Sequence, residues 1–246
     1  MSSNPPQEHC CANKVIHTGT PTGSIKTISN LTCYVTSNYT PDSKKFLFIF
    51  SDIYGIELVN TQLVADTFAS KLDYPVIIMD ILNNKDVYIP GTDFNAWLAN
   101  HPPELTTKIC ADFFNQFKID HPNTTFLSGI GYCFGAKYLS HYLTSENPLI
   151  DVGAFAHPSF VSDEELEAIN KPLIISCAEN DDIFTKELRY KSEEILKKNK
   201  IHYQLDLYSN TNHGFAVRGD LNDPLVKYAA EKALIDQVYW FKFHEK

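Results

Sequence analysis

The most constraining stretch of the chain is Ser128-Gly-Ile-Gly-Tyr-Cys-Phe-Gly-Ala136. A short apolar run, Thr125 to Ile130, ends in Gly131-Tyr132-Cys133-Phe134-Gly135. A helical pattern follows at once, with Ala136, Tyr138, Leu139, Tyr142 and Leu143. Strand, Gly-x-nucleophile-x-Gly, helix is the layout of a nucleophile elbow. The turn is too sharp for side chains at its flanks, so glycine is needed there. The residue between the glycines is pushed out at the strand end and points into a cleft. Here it is Cys133, and the N-terminus of the following helix favours its thiolate. The competing reading is a structural cysteine buried at a tight turn, a common fate of free thiols. The rest of the chain decides between them by supplying a base and an acid, or failing to.

Several other apolar runs end in polar residues. Phe46-Leu-Phe-Ile-Phe50 is continuously apolar, as a strand buried on both faces should be, and ends at Ser51-Asp52-Ile-Tyr-Gly55. Tyr74-Pro-Val-Ile-Ile-Met79 precedes Asp80, and Asp151-Val-Gly-Ala-Phe-Ala156 precedes His157-Pro158. Pro172-Leu-Ile-Ile-Ser-Cys177 leads to Ala178-Glu-Asn-Asp-Asp182, and Tyr203-Gln-Leu-Asp-Leu-Tyr208 leads to Asn212-His213-Gly214-Phe215. Helical patterns lie between them. Ala65, Phe68, Ala69 and Leu72 recur at i, i+3, i+4, i+7, and Leu105 to Ile119 carries Ile109, Cys110, Phe113, Phe114 and Phe117 on one face. Further helices are expected over Thr185 to Lys198 and from Pro224 to Phe243. Thr18 to Thr36 reads as an antiparallel entry into a sheet. Asp80 to Asn100 suggests no compact element and is read as a loop that contacts substrate.

Strands alternating with helices argue for an α/β fold with a mostly parallel central sheet covered by helices on both faces. No internal repeat or linker interrupts residues 1–246, so one domain is expected, with residues 1–13 an irregular polar N-terminal segment. In parallel sheets ligands sit beyond the carboxyl ends of the strands. Asp52, Cys133, His157, Asp181 or Asp182, and His213 all fall there, each within a few residues of an apolar run.

Composition narrows the partners. The net charge of −9 argues against nucleic acid or an anionic membrane, and no apolar run approaches the ~18 residues of a membrane span. The N-terminus lacks a charged n-region and an apolar h-region, so a cytoplasmic location is expected. None of the six cysteines forms a C-x-x-C pair or a zinc-like spacing, so no metal is expected.

Nucleophile, then an acid after a later strand, then a histidine after the last strand is the chain order of an α/β-hydrolase triad. Each residue type has a reason. An unperturbed thiol is mostly protonated at neutral pH, so an imidazole must take its proton. A carboxylate on the other ring nitrogen then holds the imidazole in the right tautomer. Cys133, Asp181 or Asp182, and His213 supply that order.

These motifs resemble the dienelactone hydrolase family (carboxymethylenebutenolidase-like proteins of the α/β-hydrolase superfamily). The resemblance runs from about Gly23 to the C-terminus. It is carried by Asp52-Ile-Tyr-Gly55, Gly131-Tyr-Cys-Phe-Gly135, Ala178-Glu-Asn-Asp181 and His213-Gly-Phe215. The N-terminal Cys-Cys and Gly-Thr-Pro-Thr-Gly segment looks like the fungal branch. The resemblance implies Cys133 as nucleophile, His213 as base and Asp181, rather than Asp182, as the orienting acid. It implies an oxyanion hole from the backbone N–H groups of Ile53 and Phe134. Asp52, Tyr54, His157 and Arg218 are expected to line the site. Bacterial members carry a glutamate near the resting cysteine, and Asp52, one methylene shorter, stands in that place. They also hold a substrate carboxylate with arginines. Here Asp80-Ile-Leu-Asn-Asn replaces one of them, with Lys85 the nearest cation, and Arg218 stands one residue from the position of the other.

The reading is therefore a cysteine hydrolase acting on a small-molecule ester or lactone, with no organic cofactor and no metal. Two other functions fit parts of the same pattern. One is a hydrolase-fold protein that binds a ligand or partner with little turnover. The other is a thiol redox sensor that couples Cys133 to Cys10 and Cys11.

Overall fold

A computed structural model describes residues 14–245. The expectations for residues 1–13, including Cys10 and Cys11, lie outside the described residues. Eight strands form one sheet: β1 (Ser24–Ile28), β2 (Leu31–Val35), β3 (Lys45–Phe50), β4 (Val76–Met79), β5 (Phe126–Tyr132), β6 (Val152–Ala156), β7 (Leu173–Asn180) and β8 (Tyr203–Asn212). Their spatial order is β1-β2-β4-β3-β5-β6-β7-β8. β1 and β2 enter antiparallel, and β3 through β8 run parallel.

The helices are α1 (Val59–Leu72), α2 (Phe94–Asn100), α3 (Pro103–Asp120), α4 (Gly135–Ser140), α5 (Asp163–Ala168), α6 (Lys186–Asn199), α7 (Phe215–Arg218) and α8 (Pro224–His244). Successive residues of a strand point to opposite faces, so full burial of Phe46 through Phe50 means that both faces of β3 are covered. On one side the phenylalanines of α3 enclose Phe48, with Phe113, Phe114 and Phe117 at ring-centroid distances of 5.8, 5.0 and 5.0 Å, all edge-on. That is a favoured geometry for aromatic pairs. This is an α/β-hydrolase fold. No helix among the described residues is long and apolar enough to cross a membrane.

Two segments differ from the sequence reading. Asp80 to Asn100 is not all loop, because α2 forms within it. Asp93 caps the helix by accepting from the N–H groups of Asn95 and Ala96. With seven residues and Trp97 as its buried anchor, α2 is too short to show a helical period. β7 and β8 also outlast their apolar runs. They stay paired to Asn180 and Asn212 across a register shift, although the added residues are largely polar and exposed.

The topology places the site. β3, β5, β6, β7 and β8 are five adjacent parallel strands, and their carboxyl ends deliver Asp52, Cys133, His157, Asp181 and His213 in that spatial order. The elbow depends on a close approach of α4 to β3. A Cβ on Gly135 would lie 2.1 Å from the Phe50 carbonyl oxygen, a backbone atom that has nowhere to go.

Candidate active site

Cys133 sits at the elbow with φ of 50°, in the left-handed region that a non-glycine residue occupies only under constraint. Backbone bonds impose it. The Cys133 N–H donates to Ala156 O (3.1 Å), and the Cys133 carbonyl accepts from Ala136 N (3.2 Å) and Ser159 N (3.0 Å). The helix that follows is only six residues long, so the main charge partner of the thiol is a side chain rather than an extended helix dipole.

That partner is His213. Its Nδ1–H donates to Asp181 Oδ2 at 2.8 Å, with both side chains buried. Asp181 Oδ1 accepts from the N–H groups of Ile183 and Phe184, each at 2.9 Å. One oxygen thus caps the next segment while the other orients the imidazole. Burial works against the Asp181 charge, but His213 and these two N–H groups outweigh it and hold the carboxyl below its ordinary range. Burial likewise opposes charge on His213. The Cys133 thiolate and the Asp181 carboxylate overcome it and raise His213 to about 9. These neighbours therefore favour the protonated imidazole at His213. Asp181 meets the histidine. Asp182 instead lines an open recess of about 650 Å³ whose wall also includes Asn180, Asn212, His213 and Arg218.

The turn after His213 needs its glycine. Gly214 has φ of +90°, and a Cβ there would lie 2.5 Å from the Arg218 guanidinium carbon. Arg218 and Asp52 form a buried ion pair, Nε to Oδ2 at 3.0 Å, with side chains 1% and 0% exposed. The other Asp52 oxygen accepts from the Tyr54 N–H at 3.0 Å, and the Tyr54 ring lies under Arg218 at 5.4 Å. Burial pushes the Asp52 carboxyl up, and Arg218 pulls it back only in part. Arg218, expected to line the site one residue from the position of the family's substrate-binding arginine, is thus engaged by Asp52. Lys85 is engaged by Glu57 at 2.5 Å.

His157 lies at the expected strand end but is shut away from solvent. Its ring stands edge-on to His213 (5.1 Å) and Phe215 (5.8 Å). Burial, then the charges of His213 and Arg218, drive its pKa well below the ordinary value, so it is neutral. Ile53 and Phe134 are buried at the ends of the neighbouring strands β3 and β5. One residue of the cluster escaped the sequence reading. Ser159 Oγ is 3.3 Å from Cys133 Sγ and 3.4 Å from His213 Nε2. Its signal was position alone, just beyond the β6 strand end in His157-Pro158-Ser159.

The profile of the dienelactone hydrolase family matches residues 31–245. The chain belongs to the dienelactone hydrolase family. Among curated relatives, it is 35% identical to "Hydrolase pyvD" of Aspergillus violaceofuscus, over the whole of both chains. It is 34% identical to "Hydrolase tropI" of Talaromyces stipitatus, over 98% of each. A solved structure from Klebsiella pneumoniae, assigned as a dienelactone hydrolase, superposes with a TM-score of 0.72. It covers 89% of this chain and 98% of that one at 13% identity, a likeness of fold alone. Dienelactone hydrolase membership and the buried Cys–His–Asp network together make this chain a carboxylic-ester or lactone hydrolase of that type.

Proposed function

We propose that Cys133 is the nucleophile of this hydrolase, His213 its acid and base, and Asp181 the carboxylate that orients His213. The observation that carries this is the unbroken chain of contacts from the strained elbow cysteine through the imidazole to a carboxylate fixed by two backbone N–H groups. A protein kept only for binding has no need of that chain.

The Cys133 thiolate attacks the ester carbonyl carbon, and the carbonyl electrons move onto oxygen. The Ile53 and Phe134 N–H groups hold that oxyanion. On collapse, the C–O bond breaks and His213 Nε2–H protonates the departing alkoxide. The product is an alcohol and a thioester on Cys133. Neutral His213 then takes a proton from water, the hydroxide adds to the thioester, and a second collapse frees the acid and restores the thiolate and imidazolium. Esters and lactones suit this cycle better than amides, whose leaving group demands more from the acid. With Arg218 engaged by Asp52 and Lys85 by Glu57, the site suits a neutral ester or lactone rather than one held by a carboxylate clamp.

Alkylation tests this reading. Iodoacetamide should abolish hydrolysis of an activated aryl ester in step with one label on Cys133, and a competing ester should slow both. Full turnover by enzyme labelled at Cys133 would refute the assigned nucleophile.

A further inference from the structure

Ser159 completes a triangle with the nucleophile and the base, and none of the steps above uses it. Its hydroxyl is buried, at 1% residue exposure, between Cys133 Sγ and His213 Nε2. We propose that Ser159 is a positioning residue whose hydroxyl holds Cys133 and His213 as a thiolate–imidazolium pair, accepting from Nε2–H and donating to Sγ. This rests on the roles given to Cys133 and His213 above.

The chemistry of the hydroxyl sets the direction of the effect. A serine hydroxyl offers one donor and two acceptor lone pairs, so it can serve both partners at once. Hydrogen bonds to ionised partners are about twice as strong as those between neutral groups. The neutral alternative, a thiol beside an imidazole, offers only a weak S–H donor. The hydroxyl therefore favours the charged pair over the neutral one. At 3.4 Å the contact to Nε2 is long, as catalytic hydrogen bonds in unliganded enzymes commonly are. The raised pKa of His213, to about 9, has the sign expected for an imidazolium held beside a thiolate.

The backbone makes the side chain separable from the scaffold. Ser159 N–H donates to the Cys133 carbonyl at 3.0 Å whatever the side chain is. Ser159→Ala therefore removes the hydroxyl and leaves the loop tied to the elbow. The other groups around the pair stay in place in that variant. They are Asp181 after β7, the Asp52–Arg218 pair from β3 and α7, His157 after β6, and Tyr132 at the end of β5.

The test is the pH profile of kcat/KM for an activated aryl ester, with the ultraviolet absorbance of the thiolate followed in parallel. Wild type, Ser159→Ala and Ser159→Thr are compared. Losing the hydroxyl destabilises the charged pair, so the profile of Ser159→Ala should narrow from both sides. The acidic limb should move up and the basic limb down, each by about half to one pH unit, with the thiolate absorbance moving alike. Ser159→Thr, which keeps a hydroxyl, should restore both limbs. A uniform fall in rate with both limbs unmoved would mean that Ser159 only fills space, and an unchanged or raised rate would mean that it holds nothing; either overturns the proposal. Failure of the underlying assignment has its own signature, since Cys133→Ala would then keep wild-type turnover and the thiolate signal would not depend on Cys133.

Discussion

His213→Ala is expected to lower kcat/KM for an activated ester by about 10²- to 10⁴-fold, the usual contribution of a positioned acid–base group. Two losses combine in that figure. The thiol loses the imidazolium that stabilises its thiolate, and the leaving alkoxide loses its proton donor. Their different sensitivities offer a check within the same experiment. An ester with a good leaving group needs little protonation, so it should suffer less than an alkyl ester or lactone. In the wild type, activity should fall on the basic side as His213, raised to about 9, gives up its proton. The sign follows from the active form, because a deprotonated imidazole has no proton for the alkoxide in the acylation step. His213→Ala should lack that basic limb. Retention of wild-type turnover, or of the limb near pH 9, would remove His213 from its assigned role.

The largest expected effect on stability lies in the Asp52–Arg218 pair. Removing one partner of a buried ion pair typically costs about 3–5 kcal/mol, because the other charge is left without compensation. The two partners are not equivalent. Asp52→Asn leaves a buried guanidinium, which cannot shed its proton. Arg218→Met leaves a carboxyl that burial already pushes upward, and this group relieves itself by binding a proton. Urea unfolding should therefore show the full loss in Asp52→Asn and a smaller one in Arg218→Met at neutral pH. Equal losses, or none, would mean that the pair is not the buried, mutually dependent unit its 3.0 Å geometry describes.

The parts of the fold that were legible in the chain share one property: their signal is local. Phe46 to Phe50 announces a strand buried on both faces because no polar residue interrupts it. The elbow announces itself because the glycine is required within two residues of Cys133. His213 and the pair Asp181 and Asp182 stand out because each lies just past the end of an apolar run, and the family resemblance points to Asp181 within that pair. What escaped depends on contacts between distant residues or on very short elements. α2 is about two turns around a single buried tryptophan. Arg218 reads in the chain only as a residue expected to line the site, and its pairing with Asp52, 166 positions away, appears only in the fold. Ser159 is one hydroxyl among many in the chain, and only the gathering of the carboxyl-end loops of β5, β6 and β8 on one edge of the sheet gives it two partners.

The most direct test is to trap the acyl-enzyme. Protein quenched in acid during turnover of an activated ester should gain the mass of one acyl group. Peptide mapping should place that group on Cys133 as a thioester that hydroxylamine removes, and Cys133→Ala should show neither adduct nor turnover. An acyl group on Ser159, the hydroxyl 3.3 Å away, or undiminished turnover by Cys133→Ala, would contradict the account.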